Sequence, residues 1–320
     1  MWSNFTKNNL KDLIKIKKQY VTSKSLLIIK AKKDMKNIIN LPDIKYTITR
    51  IKIPVKTIEN YATSFWVYDK VISEFNCLEN EYLIEWDNNK IHIKCSKDKI
   101  NKIKKRLDIF LKIITWIKSD SNQNIDIYLI LSSLKKNIEV NKDIGPKHIN
   151  SGYTHRIKKY IFIWREEEFE KVTFHELIHL YNKDHSIEVI NSKYDNYESL
   201  YEAITDFKAI YYNLIYLSIL TKIKLSLLFN LEITFINNQA CMILNLINKN
   251  IKLISPAFSY FVLKCKIFNY FTSLEVNEED FNDIFINLKN YNILLNKLIE
   301  LNECSYYNFN SSRMSFFELI

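Results

Sequence analysis

Apolar positions along the chain change their spacing several times, and each change marks an element. Leu10, Leu13, Ile14 and Ile16, with a second cluster after Val21, recur as in one or two opening helices. Tyr46, Ile48, Ile51, Ile53 and Val55 are rich in β-branched residues and predict a strand or strand pair, with Pro54 placing its end at an edge or bulge. Residues 82–86 and 91–95 alternate apolar with polar positions across Asp87-Asn88-Asn89-Lys90, which predicts a hairpin with turn-forming residues between its strands. His92 falls inside the second run and reads as a strand histidine with no metal role. Ser96 can cap the next element, a long amphipathic helix with Ile100, Ile103, Leu107, Phe110, Leu111, Ile114 and Ile117 along one face. Residues 125–131 then read as a buried strand, Gly145-Pro146 as a turn and residues 160–164 as a further strand.

Chemistry enters at His175-Glu176-Leu177-Ile178-His179, which lies within a helical apolar pattern. On a helix, residues four apart share a face, so His175 and His179 can place two imidazole nitrogens on one metal ion while Glu176, one step round, faces a water on that metal. This His-Glu-x-x-His spacing is a zinc-hydrolase signature. Glu166-Glu167-Glu168 favours a helix start through the macrodipole, so the motif helix is expected from about Glu166 to about Tyr181. Just upstream, Ser151-Gly152-Tyr153-Thr154 holds one of only two glycines in the chain. A glycine in so glycine-poor a sequence implies a close approach or a conformation that a side chain would block, and Gly152, Tyr153 and Thr154 are read as a ligand-facing edge.

Taken with the downstream run Glu198-Ser199-Leu200-Tyr201-Glu202-Ala203-Ile204-Thr205-Asp206, residues 81–215 resemble the zincin metallopeptidases, and among them the gluzincins, the thermolysin-like clan. The resemblance implies an α+β fold: a twisted sheet with an edge strand, a backing helix and the motif helix, with a mostly α-helical C-terminal domain after them. It implies Zn²⁺ held by His175, His179 and Glu202, with Asp206 as the outer partner of a zinc histidine and Glu176 as general base. Three protein ligands leave the fourth zinc position to water, and a carboxylate one turn from Glu202 can fix an imidazole tautomer, so the chemistry agrees with the likeness. Two rivals for the third ligand stay open. His185 comes after His179 at the metzincin spacing, with Asn182 where that pattern has Gly, and Glu198 matches the spacing of the aminopeptidase branch. Glu202 is preferred because Asp206 lies one turn beyond it, and because the metzincin reading lacks a Met-turn: Met242 sits in an apolar helical stretch. No histidine occurs after His185, so the oxyanion donor expected from the C-terminal part falls to a Tyr such as Tyr260, or to Arg313.

Three regions are therefore expected: an N-terminal α+β region at 1–80, a catalytic core at 81–215 and a helical domain at 216–320. The function implied is a zinc-dependent peptidase acting on a peptide or protein. The alternatives are a zincin fold kept as a silent structural or interaction module, and a metzincin-like peptidase that uses His185.

Composition narrows the remaining classes. At 47% hydrophobic and 14% aromatic the chain is too apolar for disorder. The formal charge of +10 would permit nucleic-acid binding, but Lys-rich runs such as residues 15–18 and 102–105 alternate with apolar residues as solvated helix faces do, so no nucleic-acid partner is expected. The five cysteines are scattered without C-x-x-C spacing and read as free thiols in a reducing compartment. The first residues lack a secretory pattern, and the apolar tract 209–220 is too short and interrupted to span a bilayer, so an intracellular protein without a membrane span is expected.

Overall fold

The computed structural model describes residues 2–16, 25–54, 70–118, 121–137, 143–181, 197–249, 251, 257–273 and 312–319. Helices α1 (Asn4–Ile16) and α2 (Leu26–Ile39) precede the short strand β1 (Thr47–Arg50) and helix α3 (Val71–Cys77). Then come the hairpin β2 (Asn80–Trp86) and β3 (Asn89–Cys95), helices α4 (Lys99–Lys104) and α5 (Leu107–Lys118), and strand β4 (Asp126–Ser132). After the one-turn helix α6 (Pro146–Ile149), a second hairpin, β5 (Gly152–His155) and β6 (Tyr160–Arg165), leads into α7 (Phe169–Leu180), the motif helix. Next are two long helices, α8 (Tyr197–Thr221) and α9 (Leu225–Asn248), then a π-helical turn at Ser259–Leu263 running into α10 (Lys264–Ser273).

The class is α+β, with a mixed six-stranded sheet in the order β1-β2-β3-β4-β6-β5. β3, β4 and β6 are parallel, while β1, β2 and β5 run antiparallel to their neighbours, so β5 is an antiparallel edge. The first hairpin closes through Asp87 and Asn88 at φ 42° and 63°, a tight turn with two left-handed residues that Asp and Asn adopt at little cost. Strand alternation then sorts the sheet into two faces. Ile91, Ile93, Ile127, Leu129, Ile161 and Ile163 join the large core beneath the helices, and that single cluster runs from Leu13 to Leu319. Tyr128, Ile130, Tyr160, Phe162 and Trp164 form a second cluster on the other face, against Val71 and Phe75 of α3. His92 stacks flat on Tyr128 at 4.5 Å between ring centroids, as a strand side chain.

Local departures from expectation have physical causes. The helix expected over residues 100–117 breaks between α4 and α5, where Arg106 turns inward to place its Nη2 2.9 Å from Glu170. The motif helix begins at Phe169 and not at Glu166, because Glu168 takes a left-handed conformation, φ 59°. Three of the four described cysteines, Cys77, Cys95 and Cys265, carry free thiols as expected, whereas Cys241 is disulfide-bonded. Among the described residues α9 is the one helix long and apolar enough by length and composition to cross a membrane, and most of it is buried within the fold.

A C-terminal strap, residues 312–319, threads between these elements. Phe316 and Phe317 are buried, and Trp2 bridges to Leu319, which brings the two ends of the described chain together. Glu168 anchors the strap: its carboxylate accepts from Lys136 Nζ at 2.8 Å, Met314 N at 3.1 Å and Ser315 N at 2.6 Å. Arg313 completes the knot with Glu167 at 3.0 Å and Glu318 at 2.9 Å. Burial alone would raise the Glu168 carboxyl, but Lys136, Arg313 and Lys171 outweigh it and hold the group well below its usual 4.5. A depressed carboxyl contributes stability above its unfolded value and loses it as the pH falls toward the folded one. Glu168→Ala leaves a buried ammonium and two amides without their acceptor and should cost about 3–5 kcal/mol in urea unfolding. The wild type should also lose stability below about pH 4.5, and the variant should show less of that acid-side loss.

Candidate metal centre

Helix α7 is buried along nearly its whole length, so its polar side chains meet other protein groups and not bulk water; His179 alone is half-buried. Its register carries His175 and His179 onto the side facing α8, where Glu202 and Asp206 repeat at the same spacing of four. His175 Nε2 stands 3.1 Å from His179 Nε2, and Glu202 Oε2 stands 3.3 Å from the first and 3.4 Å from the second. Three donors bound about 2.0–2.2 Å from a tetrahedral ion would stand about 3.3–3.6 Å apart, and the observed triangle has those edges to within a few tenths of an ångström. Among the described residues these three form the one group of His, Cys, Asp or Glu able to hold a metal ion. Two imidazoles and a carboxylate are a donor set that suits a borderline divalent ion.

The electrostatics favour the ligand form of each donor. Burial pushes His175 down to about 3, against the pull of Glu202, so the imidazole is neutral with a lone pair to give. Burial would raise Glu202, but the charge of His179 and hydrogen bonds from both imidazoles hold it well below the carboxylate range. Asp206 is fully buried, and its Oδ1 lies 3.3 Å from His175 Nδ1, on the side of the ring away from the donor triangle. Lys171 and Lys264 both bond the Asp206 carboxylate, the latter at 2.7 Å. Tyr260, from the π turn, donates to Glu202 Oε2 at 2.7 Å and sets its ring 5.9 Å from that of His175. Burial first, then the charge of Glu202, raises the Tyr260 phenol well above its ordinary value, so it stays a donor.

Glu176 faces the edge strand. Thr154 Oγ1 lies 2.8 Å from both Glu176 Oε2 and the Glu176 carbonyl oxygen. A Cβ on Gly152 would fall 2.9 Å from Val172 Cγ1 and 3.2 Å from Glu176 Oε1, so the glycine is what lets β5 lie against α7. Burial lifts Glu176 to about 7, with His179 and the Thr154 hydroxyl pulling the other way.

Of the residues singled out in the sequence, His175, His179, Glu202, Asp206, Glu176, Gly152 and Thr154 converge. Tyr153 points to the opposite face of the sheet, where its hydroxyl meets that of Tyr160 at 3.0 Å, because strand alternation turns it away from its two neighbours. Arg313 is committed to the strap and stacks 4.8 Å above the Phe5 ring. His185 and the Glu198 side chain lie outside the described residues. Lys171 and Lys264 gave no signal in the sequence, since a lysine inside an apolar helical run is indistinguishable from one on a solvated face.

No protein-family model matches this sequence, and no curated protein or solved structure matches it either. Gly152→Ala should push Glu176 aside while leaving the three donors in place: metal content measured by elemental analysis should hold at the wild-type level, and the melting temperature should fall by a few degrees.

Proposed function

We propose that the chain is a zinc-dependent peptidase of the gluzincin kind. The observation that carries this reading is the triangle of His175, His179 and Glu202 beside a buried Glu176 that lies against an antiparallel edge strand. A purely structural metal site closes its fourth position with a protein ligand and has no use for a carboxylate placed next to it. Zinc held by these three side chains would supply Lewis acidity, polarising a carbonyl and bringing the pKa of a water to near ~7.

The remaining roles belong to the chain. Among the described residues no strand pairs with the outer edge of β5, and an extended peptide added there as a further strand would lie across Gly152 and Thr154 and beside Glu176. Glu176 takes the proton of the attacking water and returns it to the leaving amine. Thr154 holds the carboxyl in that orientation through its hydroxyl. Tyr260, a buried and protonated phenol, turns its hydroxyl from Glu202 to the oxygen that gains charge as the carbonyl carbon becomes tetrahedral. A motif helix packed under a mixed sheet, with an antiparallel strand at the sheet's edge, supports assignment to the zincins.

Glu176→Gln keeps size and helix propensity while removing the base, so zinc content and melting temperature should stay near wild type. Hydrolysis of a peptide library should fall by about 100-fold or more; activity within tenfold of wild type would show that another group is the base. Tyr260→Phe should lower kcat by about 10 to 1000-fold with little change in KM, as expected for a donor used only in the transition state. Glu202→Ala should remove most of the bound zinc, and His185→Ala and Glu198→Ala should not; zinc lost in either of the latter would move the third ligand to that residue.

A further inference from the structure

Three helical segments meet at the candidate metal centre, and each presents two residues four apart. On α7 these are Lys171 and His175, on α8 Glu202 and Asp206, and across the π turn and the start of α10 Tyr260 and Lys264. They meet in two rungs. In the upper one, Tyr260 donates to Glu202 Oε2 at 2.7 Å, and the same oxygen stands 3.3 Å from His175 Nε2. In the lower one, Lys264 Nζ donates to Asp206 Oδ2 at 2.7 Å, while Lys171 bonds Asp206 Oδ1 and His175 Nδ1 stands 3.3 Å from that oxygen.

Lys264 is completely buried, and its ammonium group is also held by the Met314 carbonyl of the strap at 2.8 Å. Stability alone does not account for a charge there. Replacing every member of a buried ion pair or triad, here Lys171, Asp206 and Lys264, by well-packed apolar side chains of similar volume is often neutral or stabilising, since no charge then has to be desolvated. What an apolar side chain cannot do is fix the rotation of a carboxylate. Lys171 sits on the same helix as His175, one turn earlier, and moves with it. Lys264 comes from a different helix and ties Asp206 to a point independent of α7.

We propose that Lys264 is a positioning residue of the metal centre. It pins Asp206 Oδ2 so that Oδ1 stays beside His175 Nδ1, 3.3 Å away, which keeps the Nε2 of that ring turned toward His179 and Glu202. The inference rests on the reading of His175, His179 and Glu202 as metal ligands. The π turn and the strap thereby become part of the centre although neither supplies a ligand: the turn carries Tyr260 and leads into Lys264, and Met314 gives Lys264 its second acceptor.

The test is zinc affinity measured by competition with a chelator on the full chain, with the melting temperature followed in parallel. Lys264→Met should fold, because Asp206 keeps Lys171 as its cationic partner, with a melting temperature a few degrees below wild type, and should bind zinc about 10 to 100-fold more weakly, the range typical for outer partners of metal-bound histidines. Asp206→Asn should lose a similar factor, and the double variant should bind no more weakly than Asp206→Asn alone, because Lys264 acts only through Asp206. Losses that multiply in the double variant, or wild-type affinity in Lys264→Met, would overturn the proposal. Should Asp206→Asn fail to fold, Lys264→Gln decides. Its amide can still donate to Oδ2, so it should bind zinc between wild type and Lys264→Met, and an affinity no better than that of the Met variant would count against a positioning role. The visible spectrum of the cobalt-loaded protein should shift in Lys264→Met, as a reoriented imidazole requires; an unchanged spectrum would count against the role. A wild-type chain that takes up no zinc would overturn the metal reading itself along with this inference.

Discussion

Every polar group on α7 is buried or nearly so, and that burial is the constraint around which the molecule is arranged. A buried charge without a partner costs several kcal/mol, so Glu168, Glu170 and Lys171, at and after the start of the helix, each draw an oppositely charged group from elsewhere in the chain. Glu170 takes Arg106 from the break between α4 and α5, and burial still lifts its carboxyl to about 7. Lys171 takes Asp206 from α8, and Glu168 takes Lys136 and the strap. These partners lie from about thirty to almost one hundred and fifty residues away in the chain, so pairing the charges of one helix ties it to the α4–α5 junction, to α8 and to the strap.

The same constraint makes the candidate site rigid before any ligand arrives. Glu202 is held by Tyr260 and Asp206 by Lys171 and Lys264, so the carboxylates that would bind or orient a metal are already fixed by hydrogen bonds to neighbouring helices. Preorganisation of this kind lowers the cost of adopting a productive geometry when a ligand binds. On the other side of α7 the contact is steric. β5 lies so close that Gly152 has no room for a methyl group, and the closeness brings Thr154 within hydrogen-bond reach of Glu176.

Burial also divides labour among the titrating groups. His175, which is buried, is kept neutral and Glu202, which is half-buried, is kept ionised, because burial dominates for the first and the neighbouring imidazoles dominate for the second. Glu176 is enclosed, and burial outweighs His179, the Thr154 hydroxyl and Lys171, which favour its charge; it titrates near neutral pH, where a group can both accept and release a proton.

What the sequence determined by itself was local. The period of apolar residues marked β1 to β4, β6 and several of the helices, Asp87-Asn88 marked the first hairpin turn, and the spacing of His175, Glu176 and His179 put three reactive groups on one helical turn. Gly152 was legible because glycine is so scarce in this chain, although scarcity alone did not decide the matter: a Cβ on Gly145, the other glycine, would meet nothing within 4 Å. Glu202 and Asp206 were legible as a pair of carboxylates one turn apart. Only the tertiary structure decided which distant groups meet them. Lys171 and Lys264 look in sequence like any of the chain's many lysines, and nothing local says that they are buried and directed at one carboxylate. The break before Arg106, the left-handed Glu168 and the outward turn of Tyr153 were likewise set by long-range pairing and sheet register. Helical and strand periods record which side of an element faces the core, but they carry no information about what stands opposite.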